Sequence, residues 1–146
     1  LRLVFLLDYR TKFLPYIGTY DVIAGYRIKR NDPFMRIFVS RVYNLIMKFL
    51  FGTKERDLDC AFRLVSMNVI DSINLVCKTG VATTELLAKA RKKGFRIKEV
   101  GVNHFPREFG EPIFEGVFMN LPKPQVVINI LRDMVILHKS LRKIKK

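Results

Sequence analysis

The chain has 146 residues, which is long enough for one domain with a hydrophobic core. Its 27 lysines and arginines outnumber 13 aspartates and glutamates and give a formal charge of +14, so we expect an anionic partner: nucleic acid, a phospholipid surface or a phosphorylated ligand. Two cysteines and two histidines, without a CxxC spacing, do not suit a disulfide scaffold or a histidine-based metal site, and a reducing compartment is the default.

Hydrophobic residues make up 49% of the chain, more than nucleic-acid-binding domains usually contain. Proteins on membrane surfaces combine such hydrophobicity with charge. No stretch reaches the roughly 18 uninterrupted apolar residues of a transmembrane helix, since the longest candidate, residues 34–51, contains Arg36, Arg41 and Lys48. The simplest alternative is a soluble protein with a cationic surface.

The chain starts with an apolar run that leads into Asp8 without the cleavage site of a signal peptide. We therefore expect Leu1 to be a cut edge within a longer protein. Residues 1–14 fit either a strand that ends at Asp8 or an amphipathic helix. The next apolar run, residues 20–27, predicts a buried strand followed by a basic loop that ends at Pro33.

Residues 34–51 predict one helix that ends at Gly52. Its polar side chains are spaced four residues apart and form one narrow stripe: Arg36, Ser40, Asn44 and Lys48. Nearly all its other side chains are apolar, so this helix is expected to be buried nearly all round or to sit in lipid.

Further along, a short helix is expected over residues 68–76 and a longer one over residues 83–93, with Gly94 as its C-terminal stop. Residues 95–102 begin with alternating apolar and polar side chains, which predicts a strand. Residues 104–111 are expected to form a loop.

The last predicted helix spans residues 125–146 and combines an apolar stripe with a basic end. The stripe consists of Val127, Ile130, Leu131, Met134, Leu137, Leu141 and Ile144. The basic end consists of Lys139, Arg142, Lys143, Lys145 and Lys146. These cations either complement the helix dipole or hold the helix at an anionic membrane surface, and both interpretations stay open.

Five segments in this order resemble family 2 glycosyltransferases of the GT-A fold, in particular the dolichol-phosphate mannose synthase and polyprenyl-phosphate glycosyltransferase branch. They are residues 21–27, the Arg36-x-x-x-Ser40 spacing with Tyr43 and Asn44, residues 57–64, residues 84–87 and residues 98–111. The resemblance implies an α/β fold in which residues 1–120 form the C-terminal, acceptor-side part of a Rossmann-like GT-A domain. Residues 121–146 would add a basic amphipathic helix, one of its amphipathic interface helices.

The same resemblance implies transfer of a sugar from a GDP- or UDP-linked nucleotide-sugar to a polyprenyl or dolichyl phosphate. Such a reaction brings two anionic groups together, and cations must hold both. By resemblance, Arg27, Arg36 and Ser40 bind the acceptor phosphate, and Arg107 binds the donor diphosphate from a loop that closes. Taken singly, Arg27 and Arg36 also fit structural or solvated positions.

Asp57 and Asp59 are the best acidic candidates for catalysis, with Glu85 as a further candidate. By resemblance, an aspartate at the Asp57 position lies on the acceptor side. A carboxylate there orients or deprotonates an acceptor, and because a phosphate is already ionised near pH 7, we expect orientation. The alternatives are a turn aspartate for Asp57 and a helix-dipole partner for Glu85. Asp59 and Ala61 depart from the family pattern, which has an uncharged residue and Gly or Ser there.

The intact enzyme is expected to use Mg²⁺ or Mn²⁺, whose ligands are not present in this chain, because the nearest Asp-x-Asp candidate has Arg10 as its last residue. The fragment alone is expected to be inactive and to bind nucleotide-sugar poorly. We expect a membrane-associated protein on the cytoplasmic face that binds an anionic surface. A non-catalytic module for anionic membranes is the alternative, and a nucleic-acid-binding domain ranks below both, so no nucleic acid is expected as a partner.

Overall fold

The computed structural model describes residues 11–28, 34–60, 62–103 and 124–144, with only the backbone of Arg36. Within these residues the chain forms a mixed α/β fold with a three-stranded sheet and four α-helices. The α/β class predicted from the sequence is therefore confirmed.

Three of the elements predicted from the sequence lie wholly or largely outside the described residues. The loops at residues 29–33 and 104–111 lie outside the described residues, as do the first ten residues of the ambiguous N-terminal segment. The described end of that segment leads into a 3-10 turn at Leu14–Tyr16, which precedes the first strand.

The sheet is built around β1 (Val22–Arg27), with β2 (Arg63–Val65) antiparallel on one side and β3 (Ile97–Val102) parallel on the other. The strands predicted at residues 20–27 and 95–102 are confirmed, although both begin two residues later than predicted. The sequence does not predict β2, because three residues are too few to show the alternation of a half-buried strand.

Side chains of β1 alternate between two hydrophobic clusters. Val22 and Ala24 belong to the larger cluster, while Ile23 belongs to a smaller one with Phe13 and Val100. All four helices contribute a fully buried side chain to the larger cluster, namely Met47, Val69, Leu87 and Leu137. Because β1 is covered on both sides, its sequence is a continuous apolar run rather than an alternating one.

The first three helices are α1 (Phe34–Phe51), α2 (Met67–Ser72) and α3 (Val81–Lys92). α1 has the predicted bounds, α2 is shorter than the predicted 68–76 helix, and α3 begins two residues before the predicted start. Gly52 and Gly94 follow α1 and α3 with φ of 64° and 86°, the left-handed conformation that glycine adopts without steric cost and that commonly ends a helix.

α1 has an inverted polarity. The middle of its polar stripe faces the domain, since Ser40 and Asn44 are buried. Most of its apolar side chains face outward, with Phe34, Leu45 and Phe49 exposed by 78%, 69% and 90%. The alternative of a helix buried nearly all round is therefore wrong, because only a narrow face with Ser40, Asn44 and Met47 is buried and most of the other apolar side chains of α1 are exposed.

α4 (Pro124–Lys143) packs against α3 and ends before the predicted residue 146. The middle of its apolar stripe packs onto the domain: Leu137 is fully buried, and Ile130 and Leu141 contact the larger cluster. Lys92 Nζ on α3 donates to the Leu141 carbonyl oxygen at 2.5 Å and so caps the end of α4. Over the described residues, none of the helices combines the length and the apolar character that crossing a bilayer demands.

Candidate functional site

Four of the predicted site residues lie together where β1 ends, beside α1 and a loop at residues 52–60 that we call the acidic loop. They are Arg27, Ser40, Asp57 and Asp59. Gly25 lets β1 approach the end of this loop closely. A Cβ atom at Gly25 would lie 2.8 Å from the Phe62 carbonyl oxygen and 3.3 Å from Cys60 Sγ, so a side chain there would displace the backbone. This close approach brings Arg27 within reach of Asp57.

Arg27 and Asp57 form a two-pronged ion pair. Nε and Nη2 of Arg27 donate to Oδ2 and Oδ1 of Asp57 at 2.6 and 2.8 Å, and the two side chains are only 11% and 9% exposed. The backbone N–H groups of Arg27 and Asp59 donate to the same carboxylate at 3.4 and 3.2 Å. Burial opposes the charged guanidinium, but the hydrogen bond and charge of Asp57 outweigh burial, so the pKa of Arg27 lies above its ordinary value. Asp57 is thus held in one orientation against a guanidinium group.

Ser40 and Asn44 connect α1 to the second aspartate of the acidic loop. Ser40 Oγ donates to Asp59 Oδ2 at 2.5 Å. Asn44 donates through Nδ2 to the Ser40 carbonyl oxygen at 2.7 Å and accepts the N–H of Leu58 on Oδ1 at 2.8 Å. Sequence analysis assigned no role to Asn44, although its position one turn after Ser40 on the polar stripe is a signal for one.

Arg63, on β2, is a second partly buried cation beside the acidic loop that the sequence analysis missed. Its Nη1 and Nη2 atoms donate to the carbonyl oxygens of Thr83 and Leu58 at 3.0 and 2.6 Å. Burial lowers the pKa of Arg63, and nearby carboxylates offset part of that effect. Burial likewise raises the pKa of Tyr43 to about 12, so its phenol, 3.4 Å from Thr84 Oγ1, stays protonated near pH 7.

Glu85 belongs to a different network. It is fully buried, forms an ion pair with Lys89 Nζ at 2.6 Å, and accepts the backbone N–H groups of Val76 and Cys77 at 3.0 and 2.9 Å. Burial disfavours its charged form, but these donors outweigh burial and hold the pKa of Glu85 below its ordinary value. Its contacts secure the segment after α2, and they explain why α2 ends before Val76.

Two predicted site residues cannot be placed in this geometry. Arg107 lies outside the described residues, and the structure gives the backbone of Arg36 but not its side chain. Their roles stay predictions. Arg36 is one turn before Ser40 on α1, which is the spacing at which two side chains share a helix face.

The acidic loop does not fit a divalent metal ion. Asp57 already binds the guanidinium of Arg27, whose positive charge would repel a cation at the same carboxylate. Across residues 11–28, 34–60, 62–103 and 124–144, no cluster of three or more His, Cys, Asp or Glu side chains is placed to hold a metal. The expectation of Mg²⁺ or Mn²⁺ for an intact enzyme stays a prediction.

Comparison with known proteins finds a relative in the undecaprenyl-phosphate 4-deoxy-4-formamido-L-arabinose transferase of Enterobacter sp. (strain 638), which is 30% identical over 116 residues. The match covers 80% of this chain and 32% of the relative, so the chain spans about a third of the length of that protein. Neither a protein-family model nor a solved structure matches the chain. Over most of its length, the chain is thus similar to part of a polyprenyl-phosphate glycosyltransferase.

Proposed function

We propose that this chain is the acceptor-side part of a family 2 glycosyltransferase with a GT-A domain, of the branch that includes dolichol-phosphate mannose synthase. The whole enzyme would transfer a sugar from a GDP- or UDP-linked donor to a polyprenyl phosphate. The observation that carries this proposal is the cluster at the end of β1, where Arg27, Ser40 and the acidic loop meet. The similarity to a transferase named for undecaprenyl phosphate supports the same substrate class.

In this proposal the acceptor phosphate lies beside Ser40 and Arg27, and Arg36, one turn before Ser40 on α1, is a further cation expected from the sequence. The hydroxyl supplies a hydrogen bond and the guanidinium groups supply positive charge, which lowers the repulsion between the acceptor and the donor diphosphate. Asp57, fixed by Arg27, orients these groups rather than acting as a strong base, because a phosphate acceptor is already ionised near pH 7. Arg107 and a divalent cation would act on the donor side.

An anionic membrane surface is proposed as a further partner, and the outward face of α1 is the observation that supports it. The cytoplasmic side stays an expectation from the resemblance. Exposed phenylalanine and leucine side chains on a cationic protein are the features of a helix that lies in the membrane interface. The same observation favours the second candidate function, a non-catalytic module for anionic membranes, which would use α1 without using Ser40.

Binding of farnesyl phosphate, a short polyprenyl phosphate, in uncharged detergent micelles separates these candidates. We expect the chain to bind it more tightly than farnesol, and Ser40→Ala to weaken binding roughly tenfold because a charge-assisted hydrogen bond is lost. Ser72→Ala is the matched control, since Ser72 is an exposed serine at the end of α2. Equal binding of farnesyl phosphate and farnesol, with no effect of Ser40→Ala, would leave the membrane module as the function.

A further inference from the structure

The two aspartates of the acidic loop interact with the groups to which the proposed function assigns the acceptor phosphate. Asp57 binds Arg27, and Asp59 accepts the hydrogen bond of Ser40. We infer that Asp59 lowers the affinity of this site for the acceptor: its carboxylate competes with the acceptor's phosphate for the hydroxyl of Ser40. This inference rests on the proposed function.

The competition follows from the chemistry of a serine hydroxyl, which has a single proton to donate. Ser40 Oγ lies 2.5 Å from Asp59 Oδ2, so that proton is directed at the carboxylate. An ionised phosphate has acceptor oxygens and needs the same proton. Asp59 and a phosphate therefore cannot both take the hydrogen bond of Ser40.

Charge adds to this competition. A phosphate beside Ser40 would lie within a few ångströms of Asp59, and two anions at such a distance repel each other. Arg27 is already engaged in a two-pronged contact with Asp57, so part of its charge is compensated. Any phosphate that binds beside Ser40 must overcome the carboxylate of Asp59, so the affinities for inorganic phosphate and for the acceptor's phosphate are both lowered.

Of the two aspartates of the acidic loop, Asp59 is the more exposed. Asp57 is buried and accepts two side-chain and two backbone N–H groups, so releasing it would strand a buried carboxylate. Asp59 is exposed in a turn of the acidic loop, so its carboxylate meets water more readily than that of Asp57, although rotation also gives up the 3.5 Å contact from Asn44 Nδ2. Asn44 would keep its hydrogen bonds to the Ser40 carbonyl oxygen and the Leu58 N–H group. The acidic loop therefore stays attached to α1 when phosphate replaces Asp59 at Ser40.

The test is the affinity of Asp59→Asn for farnesyl phosphate in uncharged micelles, measured by isothermal titration calorimetry on the full chain. We expect a dissociation constant about fivefold lower than that of the unaltered protein, since one repulsive charge near the phosphate is removed. Inorganic phosphate should show a gain in the same direction. Asp71→Asn, an exposed aspartate on α2, is the charge-matched control and should leave the affinity within about twofold.

A double variant checks the mechanism. If Asp59 acts through Ser40, adding Ser40→Ala to Asp59→Asn removes most of the gain, and the two effects are not additive. Asp59→Ser replaces Asp59→Asn if that variant unfolds, as judged by its thermal transition. Unchanged or weaker binding by a folded Asp59 variant, while the unaltered chain prefers farnesyl phosphate over farnesol, overturns the inference and leaves the proposed function standing. The absence of that preference in both proteins contradicts both.

Discussion

Buried carboxylates in this chain are held by N–H donors, which fixes their charge and their orientation. Asp57 accepts hydrogen bonds from the Arg27 side chain and from two backbone N–H groups. Glu85 forms an ion pair with Lys89 and also accepts two backbone N–H groups. Asp133 on α4 accepts the N–H groups of Lys78 and Thr79 at 2.9 and 2.8 Å. These donors lower the pKa of Glu85 and of Asp133, so both groups stabilise the folded state in their ionised form and are structural components as much as candidates for chemistry.

Glu85→Gln should destabilise the protein near pH 7 by about 3 kcal/mol, because it leaves the buried ammonium group of Lys89 without its counter-charge. The pKa of Glu85 is lowered in the folded state, so its contribution is present above the ordinary glutamate pKa of about 4.3 and is lost as the pH falls through the folded value. The variant should therefore show a shallower loss of stability on acidification below about pH 5. Urea unfolding of both proteins at a series of pH values measures the unfolding free energy and its dependence on pH.

Asp71→Asn is the control for that experiment, since it removes one exposed carboxylate on α2. Its unfolding free energy should stay within about 0.5 kcal/mol of the unaltered protein. Stability curves of Glu85→Gln and the unaltered chain that run parallel in pH would contradict the assignment.

At the scale of elements, α1 illustrates what the sequence can and cannot predict. Its bounds follow from a long apolar run that ends at Gly52, and its polar stripe is visible in the spacing of Ser40 and Asn44. Which face of the helix turns inward is not visible, because that depends on partners elsewhere in the chain. Here the inward face is set by Asp59 and the backbone of Leu58, which supply hydrogen-bond partners that an apolar core would lack.

Phe49→Ala tests the outward face of α1. Phe49 is 90% exposed, so its removal should change the unfolding free energy by less than about 0.5 kcal/mol. If α1 inserts into the membrane interface, the same change should lower partitioning into vesicles about tenfold, because a phenylalanine side chain is no longer transferred from water. Sedimentation with vesicles that contain phosphatidylserine measures the partitioning.

Met67→Ala on α2 is the control for Phe49→Ala, since Met67 is an apolar side chain with 65% exposure on another helix. It should leave partitioning nearly unchanged. If Phe49→Ala binds vesicles like the unaltered chain but lowers its self-association in buffer, α1 is an interface between copies of the chain instead.

At the scale of the whole molecule, the sequence predicts the α/β class and most helices, but not the pairing that builds the site. Arg27 and Asp57 are 30 positions apart, and their contact depends on Gly25 allowing β1 to approach the end of the acidic loop. β2 is too short to leave a pattern. Local periodicity carries no information on such long-range contacts. The family resemblance, in contrast, predicts that Arg27, Ser40 and the acidic loop belong to one site.

Some of the cationic side chains behind the formal charge of +14 make hydrogen bonds within the protein. Lys89, Lys92 and Lys93 donate to the carbonyl oxygens of Asn74, Leu141 and Ser72, so these cations compensate backbone dipoles at the ends of helices and loops. A membrane would therefore meet fewer unpaired cations than the composition suggests, and the apolar face of α1 would supply much of the binding energy.

Vesicle binding should accordingly depend on salt only in part. Between about 0.05 and 0.5 M salt, we expect partitioning into anionic vesicles to fall by roughly tenfold and then level off, as screening removes the electrostatic share. Sedimentation over a salt series measures this. Complete loss of binding at high salt would show that α1 does not insert, and tighter binding to duplex DNA than to these vesicles would favour a nucleic-acid partner.

Because the outward face of α1 is apolar, substitutions that make this protein more soluble would remove the face proposed to bind the membrane. Replacing exposed phenylalanines and leucines by polar residues is a standard way to raise solubility, and on α1 it would succeed, because those side chains make few contacts within the domain. The product would be well behaved in buffer and, if α1 is a membrane helix, unable to reach a lipid acceptor. Detergent or nanodiscs suit the unaltered chain better than surface redesign.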